Sequence, residues 1–356
     1  MASTPGAPTP GPATAGSERL RRIPLYQRIL ARPAAGSAII LVFVWIVFAI
    51  LGGSGGFLTV QGTVSYLDVA AQIGILGTAV ALLMIAGEFD LSVGSLVGFA
   101  GIVIGIGVTE MGLPVWAAIA MSMVLTTMLG IGNGIIVVKT GLPSFIVTLA
   151  TLFIIKGMTI VAAASITNVT YVAISKDLIQ ADPIAWVFNA SIDLPIGGNI
   201  KVSILWWLVI AAIGIYVYSR TSFGNWIAGV GGSPVAARNL GVPVSRVKIT
   251  LFAGTALSAA ILAAVQSMTF FSADVLRGTG MELRAITTAV IGGTLLVGGY
   301  GSVAGTAIGA LALGMAQIGI FFAGINADWY NVALGSMLLI AVVLNNWIRR
   351  RFAGLR

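Results

Sequence analysis

Apolar runs of membrane-spanning length recur along the chain, separated by short clusters of Gly, Pro and charged residues. A helix needs about 20 apolar residues to cross a hydrocarbon core of ~30 Å. The runs fall near residues 37–51, 70–86, 92–108, 115–138, 144–164, 203–218, 249–268, 283–297, 303–322 and 330–347. They predict an all-α integral membrane fold with about ten transmembrane helices. The run at 283–297 is short and is interrupted by Gly292 and Gly293, with Gly298 and Gly299 just beyond. That pattern predicts a half-helix or re-entrant piece, because irregular backbone survives at membrane depth only inside protein or along a cavity.

Charge sets the orientation. Residues 1–36 are rich in Pro, Gly, Ala, Thr and Ser and carry Arg19, Arg21, Arg22, Arg28 and Arg32. This composition predicts a disordered basic cytoplasmic tail, followed by a retained first span rather than a cleaved signal. Alternate threading from there places Lys139, the Arg220–Arg238–Arg246–Lys248 loop and the C-terminal arginines inside. Lys176, Lys201, Arg277 and Arg284 fall outside. Both termini are therefore expected in the cytoplasm, with a membrane domain over 37–348, a long cytoplasmic loop at about 219–248 and a basic C-terminus at 349–356. Trp116, Trp206, Trp207 and Trp329 at outer ends, and Trp347 at an inner end, read as an aromatic belt.

Composition narrows the chemistry. Only 8% of residues are charged, and the chain has no Cys and no His. Disulfides, thiolate nucleophiles, Cys/His metal sites and imidazole relays are excluded. Gly makes up 46 of 356 residues, against roughly 7% in average proteins, which predicts closely approaching helices. The +8 net charge sits at span ends and so reads as a topology signal, not a nucleic-acid surface.

Four features stand out between or inside the spans. Glu88 and Asp90 in Gly87-Glu-Phe-Asp-Leu-Ser-Val-Gly94 are costly charges that mark either function or a helix cap by Asp90 or Ser92. Lys156 lies about 18 Å into its span and must pair, snorkel or face water. Pro234 to Leu240, bounded by Gly231, Gly232 and Gly241, predicts a short exposed helix with a Gly C-cap, a shape suited to docking a cytoplasmic partner. Lys139-Thr140 follows Val138 where a phosphate loop needs Gly, so nucleotide energy would have to come from another chain. A weak parallel echo links Thr78-Ala79-Val80 before Ser92 with Thr288-Ala289-Val290 before Ser302.

Together these blocks resemble the permease subunits of ATP-binding-cassette importers of the ribose, xylose and simple-sugar branch. The likeness rests on Gly87–Ser95, on Gly141–Leu149 followed by Lys156-Gly157, on Gly224–Lys248, and on Ala289–Thr294 running into Gly298–Val303. The resemblance implies a bacterial inner-membrane permease working as a pair of copies. Cytoplasmic ATPase subunits would use ATP and Mg, a periplasmic solute-binding protein would deliver substrate, and this chain would bind no cofactor of its own. It also implies that the ATPase-coupling helix falls on Gly231, Gly232, Pro234, Ala236, Ala237, Arg238 and Gly241. Ser233, Pro234 and Val235 stand where relatives commonly carry Asn and acidic residues, and Glu88-Phe89 stands where Gly-Ile-Asp is usual.

For a neutral polyhydroxylated solute, Asn133, Ser144, Thr148 and the Phe270-Phe271 pair supply hydroxyl, amide and flat apolar surfaces. Two alternatives stay open on residues alone. An ion-gradient-driven carrier would use buried ionisable groups such as Lys156 and Asp68. A membrane enzyme would need a convergent nucleophile, base or metal set, which the sequence does not display.

Overall fold

The computed structural model describes residues 34–352, with side chains described through Trp347. The N-terminal tail up to residue 33 and the C-terminal arginine cluster lie outside those residues. Each predicted run is a helix: α1 (Ala35–Gly52), α2 (Val60–Ile85), α3 (Val93–Thr109), α4 (Val115–Thr140), α5 (Ser144–Thr167), α8 (Val202–Arg220), α11 (Val244–Phe270), α12 (Met281–Ile291), α13 (Val303–Phe322) and α14 (Trp329–Phe352). Between them lie β1 (Tyr171–Ala173), α6 (Lys176–Ala181), α7 (Trp186–Asn189), β2 (Ser191–Asp193), β3 (Asn199–Lys201), α9 (Ser222–Gly232), α10 (Pro234–Asn239) and β4 (Ser272–Asp274). Among the described residues, eight helices are long and apolar enough to cross a membrane. The two short ones are α3 and α12, of 17 and 11 residues.

The predicted run at 283–297 is corrected at its inner half. Helix α12 stops at Ile291, and the chain continues without helix through Gly293, Gly298 and Gly299, all at positive φ. Glycine accepts that conformation without a Cβ penalty. The loop at 219–248 is likewise mostly helical, because Thr221 and Ser233 cap α9 and α10 through their hydroxyls. The second of these is the short helix expected at Pro234 to Leu240, whereas the first, Ser222–Gly232, was not expected.

Helices α2, α11 and α13 form the centre, with 78%, 67% and 67% of their apolar windows buried, against 17–33% for the other long helices. Small residues bring them together. A Cβ on Gly130 of α4 would stand 2.6 Å from the Phe252 carbonyl oxygen, and one on Gly134 would stand 2.9 Å from the Ile249 Cα. The α4 stripe is therefore a seat for α11. Trp207, expected in the aromatic belt, is instead buried against Gly74 of α2. Trp116, Trp329 and Trp347 are exposed as the belt requires.

The connections meet end by end as the threading demands. On one side, β1 pairs antiparallel with β4, Asp182 accepts from the Trp116 amide at 3.0 Å, and Lys201 reaches Asp68 at the outer part of α2. All of these were assigned outside. On the other side, residues 85–92, 231–232 and 298–299 converge, and all were assigned inside. Gly77 of α2 lies against Thr288 of α12, so the two helices that carry the sequence echo pack on each other.

Candidate functional site at the cytoplasmic end

The connection from α2 to α3 is folded around one carboxylate. Asp90 is fully buried; its Oδ1 accepts from the Ser92 amide at 2.9 Å and the Ser92 hydroxyl at 2.5 Å. Its Oδ2 accepts from the Thr255 hydroxyl of α11 at 2.6 Å. Asn133 of α4 donates from Nδ2 to the Ser92 hydroxyl oxygen at 2.9 Å. A buried carboxylate is tolerated only with such a donor shell. Thus Asp90 takes up the amide at the start of α3, while Ser92 makes no side-chain cap of its own.

Helix α5 closes the other side of this loop. The Phe89 amide donates to the Ser144 hydroxyl at 2.9 Å, and Thr148 donates to the Ser144 carbonyl at 2.8 Å and lies 3.4 Å from the Phe89 carbonyl. Glu88, expected at the cytoplasmic interface, is largely buried and forms an ion pair with Lys248 near the start of α11. Asn133, Ser144 and Thr148 were candidate path residues. In this structure they pin the acidic loop to α4 and α5. Thr255 was not anticipated; a threonine within an apolar helix carries no signal until its partner is known.

The same loop touches two other connections through backbone alone. Gly231 at the end of α9 packs against the Ile85 carbonyl, and the Gly299 amide donates to that carbonyl at 2.8 Å. A Cβ on Gly298 would stand 2.6 Å from the Gly87 Cα, and one on Gly299 would stand 2.9 Å from the Gly232 Cα. Helix α10 follows at once, opened by Ser233 with Pro234 in its first turn and ended before Gly241 at φ +83°. Ala236, Arg238, Val235 and Leu240 are exposed, the last at 84%. Ala237 faces inward and is buried, so it anchors α10 to the bundle and is not available to a partner.

The remaining candidates lie elsewhere. Lys156 is half-buried on α5; among the described residues the ion pairs are Asp68–Lys201 and Glu88–Lys248, so Lys156 has no carboxylate within ion-pair distance. Phe270 and Phe271 end α11 on the outer side, fifteen or more residues from Thr255. Arg277 lies over the Phe270 ring at 5.1 Å and Lys176 over the Phe271 ring at 5.9 Å. They form no part of the cytoplasmic site. No cluster of three or more metal-ligating side chains occurs among the described residues.

The family described as branched-chain amino acid transport system / permease component matches residues 62–342. The inner membrane ABC transporter permease protein YjfF of Escherichia coli (strain K12) is 30% identical over 296 residues, 81% of this chain and 85% of that protein. The fructose import permease protein FrcC of Rhizobium meliloti is 30% identical over 325 residues, covering 89% and 86%. The ribose import permease protein RbsC of Escherichia coli (strain K12) is 30% identical over 298 residues, covering 82% and 88%. No solved structure matches the chain.

Proposed function

The chain belongs to this family of ABC transporter permease components, as a multi-pass membrane transport subunit and not an enzyme, and we propose that it carries a simple sugar or similar small polyhydroxylated solute into the cytoplasm. The substrate class rests on the relatives named for ribose and fructose. Energy comes from separate cytoplasmic ATPase subunits that use ATP and Mg. A periplasmic solute-binding protein delivers the solute, and two copies of this chain form the path.

The observation that carries the reading is the position of α10. Its Val235, Arg238 and Leu240 point away from the bundle, while its base at Gly231 and Gly232 abuts both the Ile85–Gly87 turn and Gly298–Gly299. A partner that shifts α10 therefore pushes directly on the loop holding Asp90 and on the inner end of the broken α12 segment. Ala237 is the buried contact of α10 on the bundle side.

The test is solute uptake in proteoliposomes holding this chain, its ATPase and its binding protein, with D-ribose, D-xylose and D-fructose offered in turn. Uptake that requires ATP and both partners supports the reading. Uptake that proceeds without the ATPase and follows an ion gradient overturns it.

A further inference from the structure

A cavity of about 460 Å³ opens beside the acidic loop, lined by Glu88, Phe89, Ser144, Phe145, Leu142 and Lys248 among others. We propose that this cavity is a solute-release subsite, a weak binding place for the sugar on its way into the cytoplasm. The inference rests on the sugar-import reading and assigns that solute a site. The volume falls in the ~300–1,000 Å³ range of small-molecule pockets. Its chemistry suits a neutral polyol. The Glu88–Lys248 ion pair joins through one carboxylate oxygen, leaving further acceptor and donor capacity for hydroxyl groups. Phe89 and the half-exposed Phe145 offer the flat apolar surfaces that suit the C–H faces of a sugar ring. Neither an anion nor a cation would find net charge there, because the pair neutralises itself.

The cavity also sits where release should be controlled. Its walls are the inner end of α4, the inner end of α5, the start of α11 and the loop from Gly87 to Phe89. Gly87 is in backbone contact with Gly298 and next to Gly231, and Gly231 begins the connection to α10. Displacement of α10 thus moves one wall of the cavity relative to α5. A release site must bind weakly enough to let go, and an exposed cavity with one ion pair and two phenyl rings meets that requirement.

The absence of native cysteines makes the test direct. Leu142→Cys places a single thiol on the cavity wall, and Ile196→Cys places one on an exposed outer turn as control. Maleimide labelling of the full chain in nanodiscs is followed with D-ribose, D-xylose and D-fructose as probes. The sugar that the reconstituted transporter imports should slow labelling of Leu142→Cys about threefold at twice its dissociation constant, and leave Ile196→Cys unchanged. Phe145→Ala, an exposed residue whose loss leaves the fold intact, should remove most of that protection, as should Glu88→Gln. Import of a sugar that gives no protection overturns the subsite while leaving the import reading intact. Protection without import of any of the three leaves a sugar-binding cavity but overturns both its release role and the import of these sugars.

Discussion

At the cytoplasmic end of the bundle three connections touch backbone to backbone, with the side-chain network around Asp90 behind them, whereas the outer end is joined by a short strand pair and by more exposed side-chain contacts. Inside, Gly87, Gly231, Gly298 and Gly299 bring three connections to van der Waals contact or closer than any side chain would allow, and the Ile85 carbonyl is shared between them. Outside, the joins are a three-residue strand pair, the Lys201–Asp68–Ser203 cluster and Arg277 over Phe270. Side chains change rotamer to absorb a displacement, but close-packed backbone cannot. The inner end is therefore built to pass movement from one connection to the next.

The sharpest way to break this contrast is Gly231→Val. The new side chain would be driven into the Ile85 carbonyl and toward the Gly299 amide. Overpacking a core already costs about 1–3 kcal/mol, and here the obstacle is backbone. We expect loss of ATP-dependent uptake together with a lower melting temperature in detergent. Gly112→Ala at the outer end, where a Cβ meets nothing within 4 Å but φ is +63°, should cost only local strain and retain uptake.

Asp90→Ala comes next. It strands the Ser92 amide and hydroxyl in a buried site, at about 1–3 kcal/mol for an unsatisfied group, while the Thr255 hydroxyl keeps the Phe252 carbonyl at 2.9 Å. Thermal melting should show a clear loss of stability, with uptake impaired. Asp90→Asn, which keeps a carbonyl acceptor for Ser92, should recover part of both.

Leu240→Asp separates docking from folding. The side chain is 84% exposed, so stability should stay within about 0.5 kcal/mol. Co-purification of the ATPase subunit, and with it uptake, should be lost. Ala237→Glu should behave differently, because its buried position makes it a folding variant first; equal melting temperatures for the two would contradict the orientation of α10.

The smallest effect is expected at the outer end. Lys201→Met removes an ion pair whose lysine side chain is 41% exposed, a class of contact worth about 0–1 kcal/mol, and Ser203 continues to donate to Asp68 at 2.6 Å. Uptake should be retained. A collapse of transport in this variant would show that the outer end is as tightly coupled as the inner one.

Much of this was legible along the chain. Ten apolar runs became ten helices because length and hydropathy are local properties that a bilayer reads directly. The short α10 was legible from Ser233, Pro234 and Gly241, which act through caps and a fixed φ within a few residues. The broken inner end of α12 was legible from its paired glycines. The segment between α5 and α8 was not, since its strands are three residues long, and β1 owes its pairing to β4, about a hundred residues away, while β2 and β3 pair with each other.

The site divides the same way. Asp90, Glu88, Asn133, Ser144 and Thr148 were each visible as polar residues in apolar surroundings, but nothing local says that they gather around one loop. Lys248 looked like an orientation signal and proved to be the partner of Glu88. Sequence alone determined what each segment is, its length, its hydropathy and the side on which its ends emerge, because those follow from transfer free energies of consecutive residues. Tertiary structure alone decided which buried donor meets which acceptor and which glycines touch, because a lone carboxylate or bare backbone gains its partners only when distant segments pack.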